Sequence, residues 1–237
     1  MTPVNRNAAG IDLDRRAIEL VRDQVFPIWW TLIPTSGKET YETGWPDLEK
    51  TLTREYAIGQ YRSNSGYNGF GAITGEKSNG LLALDIDGPE ADERYKEAAG
   101  DAYHPPGEED TMATTSGREG RRQILYRVPR SLLRELRDVN KVILRKDGNW
   151  HQGSGDSNAK KDEPEKDYEE LVIRFNKCQT VMPGSLHPIT KQRYKFLQYN
   201  DGEVAKAPAW IMEILMQFAK PVSFFSKKDM EFFDEEV

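Results

Sequence analysis

One short segment, in which apolar and acidic side chains alternate, constrains the fold more than any other part of the chain. Residues 81–88 read Leu-Leu-Ala-Leu-Asp-Ile-Asp-Gly, which predicts a buried strand that ends at the glycine. Side chains alternate between the two faces of a strand, so Asp85 and Asp87 point the same way, about 7 Å apart at the backbone. Leu84 and Ile86 face the other side, so this strand must separate an apolar layer from an acidic surface.

Two carboxylates on one face of a strand end are suited to binding divalent metal through hard oxygen ligands. Paired Mg²⁺ or Mn²⁺ ions about 4 Å apart can hold a phosphoryl group during transfer between two oxygens. The alternative is that Asp85 and Asp87 only terminate a strand before a turn at residues 88–89. The pair alone does not decide between these interpretations.

Composition limits the class of protein. A chain of 237 residues with a net charge of -6 and 37% hydrophobic residues is typical of a soluble globular protein. No apolar run reaches the roughly 20 residues of a membrane span, and the first residues lack a signal-peptide core, so we expect a cytoplasmic protein without a membrane partner. Cys178 is the single cysteine, which excludes an internal disulfide and predicts a buried, inert thiol.

The acidic total conceals a basic segment. Residues 117–146 contain ten Lys and Arg against three acids. Because phosphate backbones are bound by local patches, the overall charge does not exclude a nucleic-acid partner. For Arg130, Arg134 and Arg137, which are spaced at helical intervals, a solvated helix face is the favoured interpretation.

Apolar periodicity and turn residues predict an alternation of helices and strands. The predicted helices are 12–25, 46–55, 90–99, 131–138 and 208–218. The predicted strands are 28–34, 69–74, 80–86, 111–115, 123–128, 141–145, 170–175, 178–182 and 193–197, the last three completing a second sheet region. Residues 147–167 are too polar to support a core, so we predict a mobile surface loop or a partly disordered insertion, in which Trp150 and His151 lack apolar neighbours. Residues 221–237 are predicted to form a peripheral acidic and aromatic tail or the start of a linker.

Four segments are more informative together than singly. They are Asp85-Ile-Asp87, residues 114–126 (Thr-Thr-Ser-Gly-Arg-Glu-Gly-Arg-Arg-Gln-Ile-Leu-Tyr), residues 171–181 (Leu-Val-Ile-Arg-Phe-Asn-Lys-Cys-Gln-Thr-Val), and residues 182–188 (Met-Pro-Gly-Ser-Leu-His-Pro) with the trailing Arg193-Tyr194. With the upstream Pro34-Thr-Ser-Gly-Lys38 and Gly44-Trp45, their order and spacing resemble the bifunctional primase-polymerase domain of the archaeo-eukaryotic primase superfamily. The resemblance extends from about Trp30 to Trp210.

This resemblance implies an α+β catalytic core of two lobes, with mixed or antiparallel sheets flanked by helices and the active site in the cleft between the lobes. The catalytic domain would span residues 1–220. The implied activity is that of a metal-dependent DNA primase and DNA polymerase, a nucleotidyltransferase that makes and extends primers on single-stranded DNA. Nucleoside triphosphates, single-stranded template, and Mg²⁺ or Mn²⁺ are the expected partners and cofactors, and a helicase domain or protein is a further expected partner of a longer replication protein.

The resemblance also assigns roles to individual residues. Asp85 and Asp87 match the metal-binding pair residue for residue, and their loss is expected to cost the most activity. His187 would be a catalytic nucleotide ligand with Ser185 beside it, the alternative being a turn histidine that faces solvent. Arg174 would bind triphosphate, the alternative being a structural ion pair.

The predicted turn at residues 116–123 offers a second set of nucleotide contacts. Its glycines would let backbone amides approach an anion, and its polar side chains would bind nucleotide or template phosphate, although a solvated hairpin would explain the arginines almost as well. The candidate residues are Ser116, Arg121, Arg122 and Gln123. Lys38 is a further candidate nucleotide ligand, because it resembles the lysine that many family members carry ahead of Gly-Trp, although the remainder of a phosphate-binding Walker sequence is missing.

Two positions depart from the family pattern. Many relatives have a histidine where this chain has Gln123, and the usual third acid would fall at Val172. Glu170 lies on the same predicted strand face and is the substitute candidate for the third metal ligand, two residues away from the expected place. The site could therefore use two carboxylates, recruit another acid, or be weakly active.

Several questions stay open at the level of sequence. The side chain that would select deoxyribose or ribose could be Tyr126, Phe175 or Tyr194. One rival function is a catalytically silent relative that binds single-stranded nucleic acid or nucleotides, which the departures at Val172 and Gln123 favour. The other is an Asp-x-Asp glycosyltransferase, which would hold a nucleotide-sugar diphosphate through metal and would need no template.

Overall fold

A computed structural model describes residues 12–40, 45, 53–153 and 169–220. Within these ranges the chain forms two antiparallel sheets and four α-helices, which confirms the predicted α+β class. The helices are α1 (Ala17–Arg22), α2 (Arg54–Ser63), α3 (Pro89–Ala99) and α4 (Ala209–Gln217). The strands are β1 (Leu32–Thr35), β2 (Gly69–Ile73), β3 (Leu81–Asp87), β4 (Ala113–Thr115), β5 (Arg121–Arg127), β6 (Lys141–Leu144), β7 (Trp150–Gly153), β8 (Leu171–Arg174), β9 (Gln179–Val181) and β10 (Lys195–Gln198).

Strand β3 is the middle strand of the larger sheet, whose order is β10-β4-β5-β3-β8-β6-β7. Along its whole length β3 pairs with β5, from Leu81 opposite Arg127 to Asp87 opposite Arg121. On its other edge it pairs with β8. Both edges of β3 are therefore hydrogen-bonded, and only its two faces remain to contact other parts of the protein.

The two faces of β3 contact different hydrophobic clusters. Leu82, Leu84 and Ile86 pack in a cluster that includes residues of α3 and α4. Leu81 and Ala83, on the opposite face, pack in a second cluster with α1, part of α2 and the three-stranded sheet, whose order is β1-β2-β9. This period of two is the one that the sequence predicts, and it places Asp85 and Asp87 on the side of the smaller sheet.

The chain turns sharply directly after β3. Gly88 has a φ of 140°, and a Cβ there would lie 2.1 Å from the carboxyl carbon of Glu169. Pro89 then begins α3, a position where a missing N–H costs no hydrogen bond. The Oε2 of Glu169 accepts the N–H of Glu90 at 2.6 Å and so caps this helix. The end of β3 is fixed by this turn, and Asp87 stands immediately before it.

Three predictions about secondary structure are wrong. Trp150–Gly153 were predicted to lie in a loop, but they form strand β7 at the edge of the larger sheet. The polar turn before Trp150 joins β6 and β7 in a hairpin, and this pairing packs Trp150 against the first cluster. The predicted helix at 131–138 is a single 3-10 turn, Arg130–Leu132, followed by turns. The last three predicted strands do not form one sheet, since β8 joins the larger sheet beside β3 and β9 joins the smaller one.

Other predicted elements lie wholly or partly outside the described residues. These are residues 46–52 of the predicted second helix, residues 154–167 of the predicted loop, and the tail at 221–237. The predicted first helix shortens to α1. Among the described helices, none combines the length and the apolar character that crossing a bilayer requires.

We predict that Leu82→Ala lowers the free energy of unfolding by about 3 to 5 kcal/mol, because the buried side chain leaves a cavity at the middle of the sheet. Urea denaturation measures this change. Ile28→Ala is the matched control, because Ile28 is 80% exposed, and its effect should stay within about 0.5 kcal/mol. Similar losses in the two variants would contradict the placement of β3 between two cores.

Candidate active site

A pocket of about 770 Å³ opens beside the acidic end of β3. Its volume lies in the range of sites for small ligands and cofactors. Strands β3, β5 and β8 of the larger sheet contribute to its lining, and β9 of the smaller sheet contributes from the other side. The lining includes the acids Asp85, Asp87 and Glu170 and the cations Lys38, Arg118, Arg121 and Arg174.

Asp85 is held by hydrogen bonds to both of its carboxylate oxygens. The Nε and Nη2 of Arg174 donate to Oδ2 at 2.9 and 2.5 Å, and the Nε2 of Gln123 donates to Oδ1 at 3.1 Å. Burial raises the pKa of Asp85, but the charge and hydrogen bonds of Arg174, with the bond from Gln123, outweigh it, and the pKa falls below its ordinary value. The Asp85 charge in turn raises the pKa of Arg174. Asp85 is therefore ionised and fixed in orientation.

Asp87 is more exposed, and its pKa shifts in the opposite direction. Its Oδ1 accepts a hydrogen bond from Nη1 of Arg121, its cross-strand neighbour. Burial and the nearby charge of Asp85 raise the pKa of Asp87, against the lowering effect of Arg121. Two like charges on one strand face repel each other, and a bound cation would relieve that repulsion.

The structure places Glu170 at the level of Asp87. Val172 lies directly opposite Asp85 in the β3–β8 ladder, and the N–H of Asp87 donates to the carbonyl oxygen of Glu170 at 3.1 Å. Residues that face each other across antiparallel strands have Cβ atoms about 4.5 to 5.5 Å apart. Glu170 is therefore displaced from the position of Val172, as its sequence spacing requires, but it lines the same pocket.

The acids in the pocket have the chemistry that a magnesium or manganese ion requires. Carboxylates are hard oxygen ligands, and Asp85, Asp87 and Glu170 all line the pocket. Across the part of the chain that the structure describes, no group of three or more His, Cys, Asp or Glu side chains is already gathered around one point. Asp85 and Asp87 instead contact Arg174 and Arg121, so a metal would compete with these cations for the two carboxylates.

Lys38 stands at the rim of the pocket, on the turn that follows β1. Desolvation lowers its pKa, and the charges of Asp85 and Asp87 oppose that change. Its carbonyl oxygen accepts a hydrogen bond from Nε2 of Gln179 at 2.8 Å. This bond connects the turn to β9, so the sequence-predicted cation is brought to the two acids by the smaller sheet.

His187 is buried, so the alternative of a solvent-facing turn histidine is wrong. Its Nδ1 accepts the N–H groups of Ile189 and Thr190 at 3.3 and 3.2 Å. The neutral ring then carries its proton on Nε2, which has no hydrogen-bond partner among the described residues. Burial lowers the pKa of His187, and surrounding cations lower it further. These cations are Lys38, Arg118, Arg121 and Lys191.

The buried Nε2–H of His187 is a hydrogen-bond donor in a region of positive potential. A neutral donor surrounded by cations is suited to binding an anion such as a phosphate oxygen. The ring of Tyr194, which lines the pocket, lies 5.6 Å from the imidazole between ring centroids. His187 therefore lies next to a residue of the pocket wall.

Two predicted nucleotide ligands have other partners. The Oγ of Ser185 accepts the N–H of Phe70 at 3.0 Å and donates to its carbonyl at 3.2 Å, which attaches the loop to β2. The side chain of Arg122 leaves the opposite face of β5 and forms buried ion pairs with Asp92 and Glu109 at 2.7 and 3.1 Å. Ser185 is not part of the pocket lining, and Arg122 contributes to the lining although its guanidinium is held by these two acids, whereas Ser116 lines the pocket.

Two residues at or behind the pocket were not among the candidates from the sequence, and the three candidates for sugar selection had no order of preference. Arg118 lies in the predicted turn, and its place between two glycines could have identified it. Thr180 does not line the pocket but bonds to Gln123, which does, and it carries no sequence signal because it is a buried residue in a short strand. Tyr126 and Phe175 belong to the first hydrophobic cluster, so Tyr194 is the candidate for sugar selection that lines the pocket.

Comparison with known proteins gives one family. The family described as bifunctional DNA primase/polymerase, N-terminal, matches residues 10–210. That range includes both sheets and every pocket residue discussed above, and it ends at the start of α4. A comparison with curated proteins found no match.

We predict that Arg122→Met lowers the free energy of unfolding by about 3 to 5 kcal/mol, because it leaves the buried Glu109 without its counter-ion. Arg121→Met is the matched control on the same strand, and its partly exposed ion pair should contribute less than about 1 kcal/mol. Chemical denaturation of both variants measures the difference. Equal stability of the two variants would contradict a structural role for Arg122.

Proposed function

This chain belongs to the bifunctional DNA primase/polymerase family, and we propose that it is a metal-dependent nucleotidyltransferase that makes and extends primers on single-stranded DNA. The observation that carries the proposal is the pair Asp85 and Asp87 on one face of β3, lining a pocket that also contains cations. Phosphoryl transfer requires mainly that charge be neutralised and that the reacting oxygens be aligned. A pocket with two acids on one strand and cations around them could neutralise the charge of metal-bound phosphates in this way.

Asp85, Asp87 and Glu170 would hold Mg²⁺ or Mn²⁺ in this proposal. Bound there, the ions would activate the 3′-oxygen of the primer and stabilise the charge on the leaving diphosphate. Arg174 lowers the pKa of Asp85 and Arg121 opposes the rise in the pKa of Asp87, so both arginines favour the ionised aspartates and hold them in place. With metal on the aspartates, these arginines would also be placed to contact the phosphates of the nucleotide.

The triphosphate of the incoming nucleotide would lie against the cations of the pocket. The Nε2–H of His187 supplies a neutral donor, because burial and surrounding cations keep the ring unprotonated. Lys38, Arg118 and Arg121 supply positive charge, and Ser116 and Gln123 supply polar contacts. Because these cations lie close together in the pocket, the net negative charge of the chain would not prevent it from binding nucleic acid.

We also propose that the pocket is a catalytic cleft between two lobes of one domain spanning residues 1–220. The smaller sheet would form one lobe and the larger sheet the other, because both sheets contribute residues to the lining. Single-stranded template would enter along the same opening. A catalytically silent binding module is the second candidate, favoured by the ion pairs that occupy both aspartates.

We predict that purified protein with single-stranded template, nucleotides and Mn²⁺ or Mg²⁺ yields template-dependent product, and that Asp85→Asn with Asp87→Asn reduces the rate at least 100-fold. Asparagine keeps the shape of the side chain but removes the charge that binds metal. Gel analysis of labelled product measures the rate. Asp101→Asn, an exposed surface change, is the matched control and should retain full activity.

Other results would decide between the alternatives. Salt-sensitive binding of single-stranded DNA without product would support the silent module. Neither product nor binding, together with metal-dependent binding of a nucleotide sugar, would support the glycosyltransferase. Unchanged product in the doubly substituted protein would contradict the metal-binding role of the two aspartates.

We predict that Glu170→Gln raises the Mn²⁺ concentration needed for half-maximal activity about tenfold, because it removes one charged oxygen ligand. Glu169→Gln is a control at the adjacent residue. Glu169 caps α3, so that variant should lose stability while its metal requirement changes little. Metal titration and thermal unfolding of both variants test the assignment, which a normal metal requirement in Glu170→Gln would refute.

A further inference from the structure

The side-chain amide of Gln123 has a hydrogen-bond partner at each end. Its Nε2 donates to Oδ1 of Asp85 at 3.1 Å, and its Oε1 accepts a hydrogen bond from Oγ1 of Thr180. Thr180 is completely buried on β9. A continuous chain of hydrogen bonds therefore extends from Thr180 through Gln123 to the carboxylate of Asp85.

The direction of this chain is fixed by chemistry. An ionised carboxylate can only accept, so the NH₂ group of Gln123 must face Asp85. The amide oxygen then faces Thr180, whose hydroxyl must donate to it. Without that hydroxyl the amide oxygen would lose its partner and face an apolar group, and the amide would be free to rotate.

The chain also connects the two sheets at the pocket. Thr180 belongs to the three-stranded sheet, whereas Gln123 and Asp85 belong to the seven-stranded sheet. Arg174 donates twice to Oδ2 of Asp85, and Gln123 donates to Oδ1. With about four acceptor positions on a carboxylate, these three bonds leave Oδ1 with capacity for one further ligand.

We propose that Thr180 is a positioning residue that acts through Gln123 to hold Asp85 in the orientation that binds divalent metal. This inference rests on the proposed function, because it concerns the same metal site. Thr180 contacts neither metal nor substrate in this role. Its contribution is to keep the Gln123 amide turned toward Asp85, which fixes the orientation of the carboxylate and directs the remaining acceptor position of Oδ1 toward the metal.

The chain supplies a matched control in Thr35. Thr35 lies on β1 of the same three-stranded sheet and is equally buried, but its hydroxyl has no hydrogen-bond partner among the described residues. Thr→Val has the same shape at either position and removes only a hydroxyl. Thr180→Ser keeps the hydroxyl and loses a methyl group, so it should restore what Thr180→Val loses.

The test is calorimetric titration of each variant of the 237-residue chain with Mn²⁺ alone, without nucleotide or template. We expect Thr180→Val to weaken Mn²⁺ binding about tenfold, the effect of one hydrogen bond of about 1.4 kcal/mol. Thr180→Ser and Thr35→Val should bind Mn²⁺ as the unmodified protein does. In ¹H–¹⁵N spectra of the metal-free protein, the Gln123 side-chain amide should exchange faster with solvent in Thr180→Val only.

Several outcomes would overturn the inference. These are unaltered Mn²⁺ affinity and amide exchange in Thr180→Val, an equal loss in Thr35→Val, failure of Thr180→Ser to restore binding, or no Mn²⁺ binding by the unmodified protein. If Mn²⁺ binding follows the expected order but no polymer is made, the positioning role is supported and the proposed polymerase activity fails. The two claims are therefore tested separately.

Discussion

The central constraint on this structure is the alternation of side chains along β3, which is paired on both edges. Because neither edge is free, its residues can contact the remainder of the protein only through two faces. Leu82, Leu84 and Ile86 fill one core, and Leu81 and Ala83 begin the other. The second face ends in aspartates, so the apolar packing between the two sheets gives way to a polar pocket.

Charge compensation inside that pocket follows from the same register. Asp85 and Asp87 would repel each other at the end of one strand, and each has an arginine from a different neighbouring strand. Arg174 comes from β8 and Arg121 from β5. Opposite charges in partly desolvated surroundings stabilise each other only while both partners are present. The arginines thus favour the charged form of the acids, and they are suited to bind phosphate when a metal shares the two carboxylates.

Features that depend on the periodicity of one segment could be predicted from the sequence. Features that depend on how segments distant in sequence pair in the sheets could not. The shared face of Asp85 and Asp87 could be predicted because a period of two is a property of one strand. Arg121 lies in the pocket with Asp87, whereas the guanidinium of Arg122 is buried on the opposite face of β5 with Glu109. The period of two predicts that these neighbours face opposite sides, but only the pairing of β5 with β3 shows which of them faces Asp87. The level of Glu170 depends on the pairing of β8 with β3, and the strand at Trp150 depends on pairing with β6. A sequence without aligned relatives contains no signal for these long-range pairings.

The most direct measurement is a crystal structure of the protein with Mn²⁺ and a non-hydrolysable nucleoside triphosphate. The proposal that the two aspartates form a metal site predicts anomalous density for Mn²⁺ at about 2.1 Å from oxygens of Asp85 and Asp87. It also predicts triphosphate against His187 and the pocket arginines. Metal and nucleotide bound elsewhere, with Arg174 and Arg121 still paired to the two aspartates, would contradict it.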